Sequence, residues 1–331
     1  MKRRKFVKIL AISTAGVTLP IRQFDALEAT EPVLKPGSMI TSIPDFYKLQ
    51  IGTVPNLKTD PKFWRLLVTG LVEKNHLFTY KDLTGYPPKT AMRTLKCIGD
   101  PIGTTQMSNA VWTGVPLPFL LQKARVKPEA KVVVFRCADS YHTAIPIADA
   151  MREDTLLAYK MNGVDLPKKH GFPIRLLNPG HYGTKNPKWI VTIELAKKHE
   201  GYWEQRGWDP VASVRLATMI GTPGKDSTIK AGETYTISGA AFDSGNHGGI
   251  RSVEVSLDAG KTWKAAEIWA SDSPLAWSLW KYTWKVPKEE GTVNIYARAT
   301  ANDGLMQKAT GFDAAPAGAV SFHTVEAKVA K

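Results

Sequence analysis

Cys97 closes the run Thr94-Leu95-Lys96-Cys97 and opens a turn-rich stretch, Ile98-Gly99-Asp100-Pro101-Ile102-Gly103. A thiol at that point is free of ladder duties. It has a strand behind it and little backbone bulk in front, as sulfur needs if it is to hold a soft metal. The competing reading is a disulfide with Cys137, the only other cysteine in the chain, in keeping with an exported protein. Cys137 itself ends a β-branched run and reads as a buried apolar thiol. Three basic residues further on, His170, Arg175 and Lys188, read plainly on sequence alone. His170 follows Lys168-Lys169 and would suit a surface, Arg175 sits in a strand and would suit a solvated face or ion pair, and Lys188 could snorkel over Trp189.

The elements around these residues define two textures. From Thr30 to about Leu195 strand-like runs alternate with short helical ones. Trp64–Gly70, Lys131–Arg136, Pro173–Leu177 and Trp189–Leu195 read as strands. Leu117–Ala124 reads as a short helix after Pro116, and Pro146–Met151 as another helix start. Mixed order of this kind predicts an α+β domain, and no glycine-rich phosphate loop stands at a strand-to-helix junction. After Pro210 short alternating strands are punctuated by turn clusters, as in Glu233–Ser238, Ser252–Leu257 and Thr292–Ala299. That spacing predicts an all-β sandwich of immunoglobulin type without an inter-sheet disulfide. Its core is expected to rest on aromatics, with Trp263, Trp269, Trp277, Trp280 and Trp284 available.

The chain begins Lys2-Arg3-Arg4-Lys5-Phe6-Val7-Lys8, followed by a modest apolar run from Ile9 to Leu19 that is too short to span a bilayer. This start resembles a twin-arginine export signal, with Ala26 and Ala29 as the candidate cleavage positions. The expected organisation is a signal over residues 1–29, a catalytic domain over 30–209 and a sandwich over 210–331. The expected location is the periplasm or another exported compartment. The chain has 331 residues and a net charge of +14, enough length for two cores. The signal's six Lys/Arg against Asp25 and Glu28 account for +4, which leaves about +10 on the remainder. Such a charge favours anionic partners. No basic run is interleaved with aromatics in a reader motif, so nucleic acid is set aside as a partner.

Taken together, these pieces resemble the sulfite oxidase family of molybdopterin enzymes over nearly all of the chain beyond the signal. The resemblance rests on Leu95–Pro101 with Val111–Leu117, on Leu157–Gly163 with His170–Arg175, and on Asn178–Gly183 with Lys188-Trp189-Ile190. In the sandwich, Val255–Trp263 is similar to that family's dimerisation domain. The resemblance implies a molybdenum-molybdopterin cofactor with Cys97 as metal ligand and catalytic centre. It implies that Tyr47, Asp139, His170, Arg175, Asn186 and Lys188 contact the cofactor, the basic groups answering its phosphate. It also implies a homodimer through the sandwich.

The substrate side departs from sulfite oxidases proper. Where those enzymes place arginines that receive an anionic substrate, this chain has Leu49, Pro101 and Ile102, and where they place a tyrosine near the metal it has Trp208. Losing such donors removes oxyanion stabilisation and favours a less charged substrate. Phe46-Tyr47 and Leu57–Pro61 look like exported methionine sulfoxide reductases of the same superfamily. Lys48, Arg93, Lys96, Gln106, His142 and His181 are further candidate substrate-side groups. The expected function is two-electron oxygen-atom transfer to or from a small sulfur- or nitrogen-centred molecule. The alternative is an exported binding protein that keeps the fold without the chemistry. No C-x-x-C-H haem motif is present, so electrons would pass through a separate carrier such as a c-type cytochrome or a membrane quinol system.

Overall fold

The structure, a computed structural model, describes residues 39–56, 61–103, 106–309 and 314–331. The export-signal reading, and residues 57–60 of the reductase-like segment, lie outside these residues. Among the described residues no helix is long and apolar enough to cross a membrane.

The first half is built on two five-stranded sheets. One has the order His76–Thr79, Arg65–Gly70, Ile190–Ala196, Val132–Cys137, His142–Pro146, with Arg65–Gly70 parallel to Ile190–Ala196 and the other pairs antiparallel. The second is antiparallel: Lys89–Lys96, Met107–Pro116, Leu156–Met161 and Val164–Asp165, with Arg175–Leu177 also on Leu156–Met161. Among the described residues, three short α-helices connect them. Tyr80–Thr84 starts in a capping box between Thr79 and Asp82. Leu117–Ala124 carries Pro118 in its first turn, where a missing N–H costs nothing, and ends at Arg125 in the left-handed region (φ 52°). Ile147–Ala150 is a single turn. Leu66, Val68, Leu117, Leu120, Leu121, Phe135 and Ile193 fill the core between these elements. The α+β reading holds, with little helix.

The second half is a sandwich. One sheet runs Ala217–Thr222, Thr234–Phe242, Ser278–Lys285, Glu267–Trp269, and the other Ser227–Lys230, His323–Ala330, Gly291–Ala301, Ile250–Ser256, Lys264–Ala265. Their inner faces share a core of Ile237, Ala241, Trp280, Trp284, Val253, Val255, Ile295, Ala297, Ala299 and Val325. The aromatic-core expectation needs correction at three of five tryptophans, since only Trp280 and Trp284 belong to this core. Trp269 is 47% exposed on a short edge strand, with Lys281 over its ring. Trp263 is half-buried beneath the Arg298 guanidinium, 4.1 Å away. Aliphatic side chains in strict alternation supply most of the core, because a 10 Å gap between sheets suits Val, Ile and Ala on facing positions.

Trp277 serves a different purpose. It is buried with Ile98, Met107, Tyr182, Met219 and Phe242, where residues of both halves meet. Its backbone N–H donates to Thr94 Oγ1 (2.8 Å), and Thr94 N–H donates to Leu275 O (3.0 Å). Nearby, His323 of the last strand lies against Gly103, which adopts φ +86°. The strand leading to Cys97 and the loop after it are therefore braced by the sandwich.

Candidate functional site

Cys97 follows directly on strand Lys89–Lys96 and is held by its N–H donating to Gln106 O (3.0 Å). Lys96 forms a buried ion pair with Asp100, and Asp100 Oδ1 accepts from Gln106 N–H (3.2 Å). These contacts close the loop behind the thiol. Cys97 and Cys137 are both free, so the disulfide reading falls away. Cys137 is buried at the end of strand Val132–Cys137 and does not line the cavity into which Cys97 faces. Burial pushes the Cys97 thiol up to about 11, a backbone hydrogen bond from Gly99 opposing it and Asp100 adding to it.

All seven residues singled out in the sequence line one cavity: Tyr47, Cys97, Asp139, His170, Arg175, Asn186 and Lys188. Five segments deliver them. His170 ends a 3₁₀ turn and is 2% exposed, so it is no surface residue. Its Nε2 is 3.2 Å from Ile43 O, which assigns the proton to Nε2 and leaves Nδ1 as an acceptor. Burial, then the neighbouring Arg175, lower its pKa to about 4, so it is neutral at pH 7. Arg175 is buried at the start of its strand rather than on a solvated face. Nη1 donates to His170 O and Nη2 to Asn186 O, each at 3.2 Å. Its Nε is buried without a partner. Lys188 does lie over the Trp189 ring, at 4.2 Å, while Nζ donates to Lys169 O and Gln50 Oε1. Burial and Arg175 depress its pKa to about 7.

Asn186 is fully engaged: Oδ1 accepts from Asn178 N–H (2.7 Å), and Nδ2 donates to Tyr182 O (2.8 Å) and His181 O (3.1 Å). Its side chain thus pins the 178–182 loop. Tyr47, held by its N–H donating to Ser108 Oγ, stays a neutral phenol because burial, then Cys97, raise its pKa. Asp139 is half-buried, and burial raises its pKa. Sequence reasoning missed Gln50, Tyr141, Thr184 and Trp203, which also line the cavity. Tyr141 donates to Thr184 O (2.6 Å) and its N–H donates to Asp139 Oδ1. Its position two residues past Asp139, as in an Asx turn, was the available signal.

Leu49 lines the cavity, and Pro101 and Ile102 do not. Trp208 packs on Gly99: a Cβ there would lie 3.4 Å from its ring and 3.9 Å from Cys97 Sγ. Of the further candidates, Lys48, Arg93, Lys96, Gln106, His142 and His181 all lie off this cavity. Lys48 reaches back to Pro44 O, and His142 meets His199 at 2.9 Å between ring nitrogens.

A soft sulfur donor faces the cavity from one side. Across it stand two cations, Arg175 and Lys188, against one carboxylate, Asp139. The unpartnered Arg175 Nε and the depressed Lys188 both call for an anion, as a phosphate would supply. The residues present fit a molybdenum-pterin.

Comparisons with known proteins agree with this geometry. A family model described as the oxidoreductase molybdopterin binding domain matches residues 51–203, and one described as the Mo-co oxidoreductase dimerisation domain matches residues 209–313. The chain is 34% identical over 174 residues to the uncharacterized oxidoreductase YuiH of Bacillus subtilis, covering 52% of this chain and 84% of that protein. It is 31% identical over 327 residues to mitochondrial sulfite oxidase of Rattus norvegicus, covering 84% of this chain and 59% of that protein. The chain thus spans somewhat over half the length of the sulfite oxidase it matches. The crystal structure of the sulfane dehydrogenase SoxCD from Paracoccus pantotrophus superposes with a TM-score of 0.77 at 26% identity, covering 88% of this chain and 82% of that one. The chain belongs to the sulfite oxidase family of molybdopterin-dependent oxidoreductases, and its cofactor is molybdenum-molybdopterin.

Proposed function

We propose that this protein moves one oxygen atom to or from a small sulfur- or nitrogen-centred substrate of low charge. The reduction direction on a sulfoxide consumes two electrons and two protons and releases a thioether and water. When bound, the cofactor supplies the two-electron chemistry. Cys97 holds the metal, while Arg175, Lys188 and the neutral His170 hold the pterin and its phosphate. Tyr47, a neutral phenol beside Cys97, is a hydrogen-bond donor toward the reacting end. Asn186 keeps the 178–182 loop in register.

The observation that carries the substrate reading is that Leu49, and no charged donor, stands at this position of the cavity lining. Leu49 lines the cavity and Trp208 packs behind Gly99, at positions where sulfite oxidases are expected to place charged and phenolic donors. An oxyanion would find few donors there beyond those holding the cofactor. Electrons pass to or from a separate carrier, a c-type cytochrome or a membrane quinol system. The basic twin-arginine-like start supports export to the periplasm, and the match to a dimerisation domain supports a homodimer through residues 210–331.

A dye-coupled screen of the holoprotein over sulfite, sulfoxides and N-oxides, in both directions, tests this reading. The expected result is a kcat/KM for a neutral sulfoxide or N-oxide at least tenfold above that for sulfite. A preference for sulfite overturns it.

A further inference from the structure

A second cavity lies behind the first, sharing only Leu95 and Asn186 with it. Its walls also include Leu177, Pro179, His181, and Ser244 and Leu275 from the sandwich. Two of its polar side chains lack partners, and neither takes part in the chemistry proposed above. Arg93, 4% exposed, has both Nε and Nη1 buried without a partner. Asn178, 3% exposed, has both amide atoms in the same condition. Protein interiors rarely leave such groups unsatisfied, and a buried guanidinium least of all.

We propose that Arg93 and Asn178 form a binding site for a monatomic anion of the chloride class at the seam between the two halves of the fold.

The chemistry of the surroundings selects the class. A guanidinium offers donors only, and a carboxamide can turn its NH₂ toward the same point. The carboxylate that acts most on Arg93 is Asp154, and it is already gripped by both Nε and Nη2 of Arg152, each at 3.0 Å. His181 donates Nδ1–H to Pro179 O (2.8 Å) and turns Nε2 toward Asp149 at 3.6 Å, so it is not the missing partner. A water could accept two hydrogen bonds here but would leave the charge uncompensated. Leu95, Leu177, Pro179 and Leu275 line the rest of the space, which favours a small monatomic occupant.

An anion in this place ties together two segments that build the catalytic cavity. Arg93 lies four residues before Cys97 on strand Lys89–Lys96. Asn178 N–H is held by Asn186, whose carbonyl receives Arg175. The site therefore acts on stability and not on the reacting groups.

The test uses holoprotein exchanged into gluconate, then titrated with chloride or bromide at constant ionic strength. The expected result is a saturable rise in Tm of about 3 °C at ten times the half-saturating concentration. Crystals grown with bromide are expected to show one anomalous peak within hydrogen-bond reach of Arg93 and Asn178. Arg93→Met and, should that variant fail to fold, Asn178→Leu should abolish both signals while molybdenum content stays at the wild-type level. A flat Tm with no bromide peak means that a water occupies the space and overturns the proposal. A peak seen only at molar bromide, with no Tm response at millimolar halide, overturns it equally.

Discussion

Replacing Arg175 by methionine separates the stability of the empty protein from its hold on the cofactor. Burial lowers the Arg175 pKa to about 10. That corresponds to about 3 kcal/mol of unfavourable burial of the charge. Its two hydrogen bonds to the carbonyls of His170 and Asn186 return about 1.5 kcal/mol each, again about 3 kcal/mol. The two contributions nearly cancel, and methionine fills similar space against Trp112, whose ring the guanidinium now covers at 5.1 Å. The Tm of the Arg175→Met apoprotein is therefore expected within about 3 °C of wild type. The holoprotein behaves differently. Losing a charged donor aimed at a bound phosphate costs about 2–3 kcal/mol, or 30- to 150-fold in cofactor affinity. Metal analysis should show a sharp fall in molybdenum content, and the Tm difference between holo and apo forms should shrink. Wild-type molybdenum content together with an unchanged holo–apo difference would refute the assignment of Arg175. A large loss of apoprotein stability would refute the cancellation.

Four further outcomes are expected. Cys97→Ser should keep the fold, since a hydroxyl fits the space of the buried thiol, and should lose turnover and the sulfur-to-metal absorption; survival of both disproves ligation. Sulfate binding to the apoprotein should be flat below pH 7, where Lys188 is already charged, and weaken up to tenfold per pH unit above it, because binding must then take up a proton; Lys188→Met should remove that slope in calorimetric titrations. Leu49→Arg should improve kcat/KM for sulfite by about 10- to 100-fold through a new charged donor, and no change would show that Leu49 does not face the substrate. Gly103→Ala should lower Tm by several degrees, because its Cβ would sit 2.7 Å from His323 Nε2 at a φ of +86°; an unchanged melt would deny the contact between the Cys97 loop and the sandwich.

Much of the fold was legible in local pattern. The helix expected at Leu117–Ala124 occurs over those residues, because proline near its start and an apolar stripe act within a single turn. The sandwich strands were readable from alternation, though each runs longer than expected: Thr234–Phe242, Ile250–Ser256 and Gly291–Ala301. Ladder pairing carries a strand past the point where its own residues favour it. The tryptophans misled because size predicts burial only on average. Trp269 sits on an edge strand, where one side faces water, while Trp277 was drawn out of the sandwich core to the seam.

The candidate site divides in the same way. Residue type and order were enough to single out a strand-end thiol and a family resemblance, and the resemblance then pointed to three basic groups. They could not show that His170 is neutral, that Lys188 is depressed to about 7, or that Arg175 Nε has no partner. Those properties arise when five segments, from Tyr47 to Lys188, are folded around one cavity. Burial removes water from each group, and the charge of one then sets the protonation of the next. A dielectric environment and a hydrogen-bond partner belong to three-dimensional neighbours, so no reading along the chain could supply them.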